Sequence, residues 1–364
     1  MKKKGKGKMK KKFGALYCSA AALFISVAGL IATGSQNIQP LETEQICMVY
    51  EERKTLVPCG TPFGIKMLTD GVMVTDFGSV GGSCGCVSPA ESAGVKRGDI
   101  ITAVNGIEIT DSMSLSEAVQ KSYDMCTLKI VRDGEMIDVT AVPLRSDEDG
   151  EYKLGLWTRD SCAGIGTMTF YDPENNIFGG LGHSVSDIST GMTLPLLDGE
   201  ITSVTITDVL KGSDGVPGEL RGAFISDNET GTVEINSEYG VFGYSDIAPV
   251  LNEPVEIAYN NEIKKGKATI YTTVAGMMPK EYEIEIEKID YGSTSASRNM
   301  TIRITDKELL SLTGGIVQGM SGSPIIQDGR IIGAVTHVLI NDSAMGYGIF
   351  IENMCDVACQ LELN

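Results

Sequence analysis

The run Tyr282-Glu-Ile-Glu-Ile-Glu287 constrains the fold more than any other stretch of this 364-residue chain. Strict alternation puts Ile284 and Ile286 on one face and a row of glutamates on the other, which is the pattern of a half-buried antiparallel strand. From Tyr152 onward the chain repeats this kind of signal in short apolar runs broken by Gly, Asp and Asn turns. Examples are Ile201-Thr-Ser-Val-Thr-Ile206, Gly231-Thr-Val-Glu-Ile235 and Pro254-Val-Glu-Ile-Ala258. Long amphipathic helices are missing from the pattern, so residues 147–364 read as a β-barrel or sandwich domain.

The segment before it reads as a smaller β-rich unit with two helices. Ile65-Lys-Met67 and Gly71-Val-Met-Val-Thr75 are expected strands. Ser88 is placed to cap a short helix that has Pro89 in its first turn. Ser114 to Ser122 carries Leu115, Ala118 and Val119 at helical spacing, with Ser114 as the expected cap. Arg132-Asp-Gly-Glu135 separates two strand-like runs and signals a hairpin.

The N-terminus reads differently. Residues 1–12 hold eight lysines, and Phe13 to Gly34 follows as 22 uncharged residues. That length suits a membrane-spanning signal anchor with the lysines on the cytoplasmic side. Ala32-Thr33-Gly34 offers the alternative of a cleaved signal peptide. Residues 35–57 read as a tether. The net charge is −18, and without the eight N-terminal lysines the remainder carries −26. A body this acidic excludes nucleic acid as a partner, because phosphate contacts need the opposite sign. Nine cysteines in an extracytoplasmic protein are free to form disulfides. With only two histidines, neither beside a cysteine pair, no zinc site and no cofactor are expected.

Chemistry concentrates in Gly319-Met-Ser-Gly-Ser-Pro324. A serine between glycines in a tight turn leaves its hydroxyl open to a substrate carbonyl. It also frees the Gly319 and Ser321 amides to hold the oxyanion of an acyl-transfer transition state. The same residues also make ordinary turns. A serine nucleophile needs a base, and the two histidines narrow the choice. His183 sits in the small-residue loop Gly180-Leu-Gly-His-Ser-Val-Ser-Asp187, open to close approach by another segment. His337 lies in Ile331-Ile-Gly-Ala-Val-Thr-His-Val-Leu-Ile340, a buried strand, and reads as a core residue. The group that orients the imidazole stays open among Asp306, Asp187 and Asp246.

The run from Ser88 to Gly106 resembles a PDZ domain, here bounded as residues 58–146. Such domains take an extended peptide beside an edge strand and a helix. The resemblance places the carboxylate-binding loop at Thr61-Pro-Phe-Gly-Ile65, so Thr61, Phe63, Gly64 and Ile65 are the expected peptide contacts. Four further segments resemble the SpoIVB peptidase family. They are Ala163-Gly-Ile-Gly-Thr-Met-Thr-Phe-Tyr171, Gly180 to Asp187, Arg303-Ile-Thr-Asp306 and Gly314 to Ile326. What this implies is a mainly β chain of anchor, PDZ domain and peptidase barrel, grouped with trypsin-like double barrels. Its implied triad falls on His183, Asp306 and Ser321. The family's setting is the space between the two membranes around the forespore. There such a protease cleaves itself and a membrane-protein partner, relieves an intramembrane metalloprotease of its regulatory subunits and so triggers a late sigma factor. Protein or peptide substrates, the membrane and that complex are the partners implied. The other reading is a catalytically silent PDZ-containing adaptor.

Overall fold

A computed structural model describes residues 53–81, 87–248 and 252–363. The expected anchor at residues 1–34, almost all of the tether, and four of the nine cysteines (Cys18, Cys47, Cys84 and Cys86) lie outside the described residues. Among the described residues no helix is long and apolar enough to cross a membrane.

The first part of the fold is a closed ring of six strands. It uses β2 (Pro62–Phe77), β9 (Leu156–Asp172), β10 (Ile177–Gly180), β11 (Leu196–Leu210), β12 (Glu219–Ser237) and β13 (Gly240–Ser245). Their order is β9-β10-β13-β12-β11-β2, and β2 returns to pair with β9 and shut the ring. A short strand β1 (Thr55–Pro58) adds to β9 outside the ring and carries β14 (Val255–Glu256). Closure removes the sheet edges. Phe63, Ile65, Met67, Met168, Phe178, Ile201 and Val241 form one buried cluster in this barrel.

A second closed barrel holds β15 (Gly266–Thr272), β16 (Lys280–Ile289), β17 (Met300–Ile304), β18 (Pro324–Gln327), β19 (Arg330–Leu339) and β20 (Asp342–Phe350). The alternating run Tyr282–Glu287 lies in β16: Tyr282, Ile284 and Ile286 are buried at 1–2% exposure and the glutamates between them face out. Helix α4 (Ile351–Glu362) lays Ile351, Met354, Ala358 and Leu361 against side chains of both barrels, including Phe170, Phe242 and Ala334. The mainly β class and the barrel architecture therefore hold, and the barrels number two.

Between β2 and β9 the chain leaves the first barrel and returns. The excursion contains α1 (Pro89–Ser92), β3 (Ile100–Val104), β4 (Ile107–Glu108), α2 (Ser112–Lys121), β5 (Cys126–Arg132), β6 (Glu135–Ala141), β7 (Leu144–Arg145) and β8 (Tyr152–Lys153). Its own core joins Val72, Val74, Ile101, Leu115, Val119, Leu128 and Ile130. The hairpin at Arg132–Glu135 is present, with Asp133 and Gly134 both at positive φ as a tight two-residue turn needs. Helix α2 begins three residues earlier than its expected cap, Ser114, would set. Asp111 is the cap, and Ser114 returns a bond to the Asp111 amide.

Two expectations change here. The strands foreseen at 65–67 and 71–75 are one 16-residue strand, β2, which serves both units. The chain passes between them at a bulge, where the register against β9 jumps from Leu68 to Met73. Gly71 sits in that bulge at φ +88, and a side chain there would press on the Ile101 carbonyl. Second, Thr61, Phe63, Gly64 and Ile65 do not form a peptide-binding loop. Phe63 to Ile65 pair with β9 on one side and β11 on the other, so their backbone groups are already spent. Phe63 and Ile65 point into the barrel core, and Gly64 is covered by Phe224 and Thr202. Residues 55–69 thus pack with the first barrel rather than with the excursion.

The excursion is held by a core of its own, so its stability is separable in its largest side chains. Leu128→Ala is expected to cost about 2–5 kcal/mol. An unfolding titration followed by far-UV circular dichroism and by limited proteolysis within residues 87–145 measures it.

Candidate active site

The two barrels meet at an open cleft of about 760 Å³ whose walls include His183, Ser321, Thr336, His337, Gly319 and Asp187. The sequence separates these residues widely, and three local devices bring them together.

Ser321 stands on the loop between α3 (Lys307–Thr313) and β18. Gly319 and Gly322 flank it at φ +94 and +97, a region that strains other residues. Gly322 is also required for space, because a Cβ would collide with the Thr167 carbonyl oxygen. The loop is tied to β9 in the other barrel. The Thr167 amide donates to the Ser321 carbonyl at 3.1 Å, and its hydroxyl donates to the Gly319 carbonyl at 2.7 Å. Gly322 donates from its amide to Val335 of β19 at 2.7 Å. Pro324 opens β18, where its missing N–H costs nothing. Two amides in the loop, those of Gly319 and Ser321, donate no hydrogen bond to the described residues. They are the pair expected to face an oxyanion.

His183 follows β10 on a tight turn in which Leu181 and Gly182 both take positive φ. Gly182 packs against Thr336 and Ile349, so the small residue lets the loop approach the second barrel. His183 Nδ1 lies 2.8 Å from the Ser184 carbonyl. A carbonyl only accepts, so Nδ1 carries the proton and Nε2 keeps its lone pair. That is the tautomer of a general base. Burial pushes the His183 pKa down, and the Ser184 bond opposes this in part.

The Ser321 hydroxyl donates to the Thr336 carbonyl at 2.6 Å rather than to His183. The structure thus brings Ser321 and His183, the expected nucleophile and base, to one cleft, with the Ser321 hydroxyl turned to the wall. A rotation about the Ser321 Cα–Cβ bond is the motion that frees it. His337, read from sequence as a core residue, is half-buried in this same cleft. Its ring centroid lies 4.9 Å from that of His183 at a 39° tilt. Its Nδ1 is buried without a partner among the described residues. Burial, then His183 and Arg298, push its pKa down to about 4. The packing of the His183 turn on β19 creates this neighbour, and no local pattern encodes it.

The three acids diverge. Asp306 caps α3: its carboxylate accepts from the Glu308 and Leu309 amides, both at 2.9 Å. It does not line the cleft, and the imidazole proton it was expected to hold goes to Ser184 instead. Asp246 is exposed beyond β13 and is likewise outside the cleft. Asp187 is 1% exposed on the His183 loop. It accepts from the Ser189 and Thr190 amides at 3.0 and 2.8 Å and lies 2.7 Å from Arg159 Nε. That contact is ionic rather than a directed hydrogen bond, because neither atom meets hydrogen-bond geometry. Burial alone would raise the Asp187 pKa. The Thr190 amide and hydroxyl, Arg159 and the Ser189 amide together hold it below the ordinary range. Asp187 therefore braces the loop that carries His183.

No group of three or more His, Cys, Asp or Glu side chains is arranged to hold a metal among the described residues. The five described cysteines, Cys59, Cys126, Cys162, Cys355 and Cys359, are free thiols.

Two family models match the chain. The family model described as SpoIVB peptidase S55 matches residues 150–355, and a PDZ domain model matches residues 87–132. The serine protease HTRA1 of Xenopus tropicalis is 39% identical over 56 residues, 15% of this chain. The chain spans only 12% of that relative's length. Among solved structures, an inactive form of Rv3671c from M. tuberculosis H37Rv is 13% identical with a TM-score of 0.33. The match covers 55% of this chain and 82% of that one. The HtrA-type protease AlgW with a decapeptide is 11% identical with a TM-score of 0.32, over 60% and 56% of the two chains.

The buried histidines carry a pH signature. Folding holds His337 neutral, whereas the unfolded chain takes up a proton near the ordinary value of about 6.5. Its contribution to stability is complete above that pH and declines as pH falls from about 6.5 towards about 4. The urea midpoint of wild type is expected to drop more steeply across this window than that of His337→Gln.

Proposed function

The chain belongs to the SpoIVB peptidase S55 family of serine peptidases, and from that premise we propose a membrane-tethered endopeptidase with Ser321 as nucleophile and His183 as base. The observation that carries the assignment is the shared cleft. A glycine-flanked serine with two unbonded amides shares that cleft with a neutral histidine whose Nδ1 holds the proton, which leaves Nε2 the lone pair to accept one.

In the proposed reaction Ser321 Oγ leaves the Thr336 carbonyl and attacks the scissile carbonyl carbon. His183 Nε2 takes the hydroxyl proton as the new C–O bond forms. Negative charge gathers on the former carbonyl oxygen, between the Gly319 and Ser321 amides. His183 then returns the proton to the leaving amine, and the C–N bond breaks. Water repeats the sequence on the acyl-enzyme. The Ser184 carbonyl, bonded to Nδ1–H, steadies the imidazolium formed on the way. Asp306, the acid implied by the family resemblance, serves α3 in this arrangement.

The family setting extends the proposal: an extracytoplasmic active site behind an N-terminal anchor, protein or peptide substrates and self-cleavage near the N-terminus. It also includes release of an intramembrane metalloprotease from its regulatory subunits, leading to a late sigma factor. The silent-adaptor reading draws on one observation, the Ser321 hydroxyl resting on Thr336.

A fluorophosphonate probe separates the two readings. Wild type is expected to be labelled covalently, and Ser321→Ala not at all. His183→Ala should slow labelling by several powers of ten, as loss of a base does. Equal labelling of Ser321→Ala would place the reactive group elsewhere. Asp306→Asn keeps an oxygen for the helix cap and is expected to stay within about threefold of wild-type labelling. Asp306→Ala should cost about 1 kcal/mol of stability instead. A collapse of labelling in Asp306→Asn with an unchanged melting temperature would return that residue to the catalytic group.

A further inference from the structure

The PDZ-matching unit has a groove, and the chain's own backbone lies in it. A PDZ ligand adds as an extended strand to one edge of a β-strand, beside a helix. The edge here is the second half of β2, whose other side is taken by β3 through Val72 and Met73. On the free edge Met73, Val74, Asp76 and Phe77 pair antiparallel with Arg159, Thr158, Trp157 and Leu156 at the start of β9. Helix α2 flanks the same segment. The Ser112 amide donates to Asp160 Oδ2 at 2.8 Å, and the Ser112 and Thr158 hydroxyls are 3.2 Å apart. Upstream, Gln120 of α2 bonds both backbone groups of Tyr152, and the Gly78 amide donates to the Gly155 carbonyl.

Strand alternation sorts the side chains. Leu156 packs on the unit's core, and Thr158 and Asp160 meet α2. Trp157 is 65% exposed. Arg159 reaches the buried Asp187 on the His183 loop. Further along the same strand, Thr167 holds the carbonyls of Ser321 and Gly319. One strand therefore begins as the groove's occupant and runs directly into the cleft. Withdrawing its first residues would strip Arg159 from a carboxylate that is 1% exposed, and an unpaired buried charge forces its loop to rearrange.

We infer that Leu156–Asp160 is an internal ligand of the PDZ groove, and that its seating holds the His183 loop in its catalytic place through Arg159. The partner chemistry that fits the groove follows from the occupant: an extended peptide with leucine, a hydroxyl residue and an acid at alternate positions. Such a peptide competes with the internal strand and lowers activity. The inference takes the peptidase reading as its premise for activity alone, and the groove itself is tested independently.

Trp157 is the only tryptophan in the chain, so its emission reports the docked strand. The full-length protein is titrated with the synthetic peptide Leu-Phe-Thr-Arg-Asp, which lacks tryptophan, and with the same peptide carrying Glu for Leu. The first peptide is expected to change Trp157 emission saturably, with the second inert. Half-saturation should need roughly millimolar peptide, because the tethered strand competes at an effective concentration of that order. Asp160→Ala weakens the internal ligand and should lower the half-saturating concentration at least threefold. At saturation, amide exchange in residues 183–191 is expected to rise, and fluorophosphonate labelling to slow at least fivefold. Unchanged emission in both wild type and Asp160→Ala overturns the internal ligand. Altered emission with unchanged exchange in residues 183–191 overturns the link to the His183 loop. Faster labelling at saturation overturns the supporting role of the docked strand. A wild type that never takes the probe counts against the peptidase, while emission and exchange still decide the groove.

Discussion

Thr167 is the point on which the two barrels are fastened at the site. Its amide and hydroxyl hold the carbonyls on either side of Met320, and its own carbonyl accepts from Leu181. The nucleophile loop and the histidine turn are thereby referenced to a single residue of β9, which is 2% exposed. Each such bond contributes only about 1 kcal/mol net. The cost of losing one is larger, because a buried carbonyl left unpaired forfeits about 1–3 kcal/mol. Gly322 makes the fastening possible, since no side chain fits between its Cα and the Thr167 carbonyl.

Much of this was legible from the chain because the signals are local. Alternation in β16, the Asp-Gly hairpin after Arg132 and the glycines around Ser321 each act over a few residues and survive any tertiary context. The small-residue loop at His183 also did what its composition implied, closing on β19 at Gly182. What the sequence hid is partnership. Thr61 to Ile65 carry the look of a ligand-binding loop by resemblance, and nothing local says that β9 and β11 occupy both edges of Phe63 to Ile65. His337 has the neighbours of a core residue in sequence and those of a cleft residue in space. Asp306 is the instructive case. Asp306-Lys-Glu-Leu-Leu310 is a helix-start signal, with Asp306 as the cap and Glu308 in the first turn, and a cap is the alternative role open to each of the three candidate acids.

The cleft is also an electrostatic selection. Two imidazoles lie 4.9 Å apart, centroid to centroid, inside a strongly acidic protein, yet both are driven towards the neutral form. Burial does most of this, and for His337 the ring beside it and Arg298 add to it. The one carboxylate of the His183 loop, Asp187, is engaged by Arg159 and its own loop amides instead of an imidazole. A neutral base at hand, with charge appearing only during proton transfer, is the state general-base chemistry requires.

The PDZ unit leaves and rejoins the first barrel through strands that pair with each other, and this dictates an order of assembly. As the chain is made from its N-terminus, Phe63 and Ile65 wait for Gly166 and Gly164, which arrive only after the whole excursion. Nonlocal closure of this kind is slow, and it follows the formation of the intervening unit. The peptidase barrel is thus the last thing to be completed. A nascent chain therefore carries no assembled cleft until the PDZ-matching unit that interrupts its first barrel has been made.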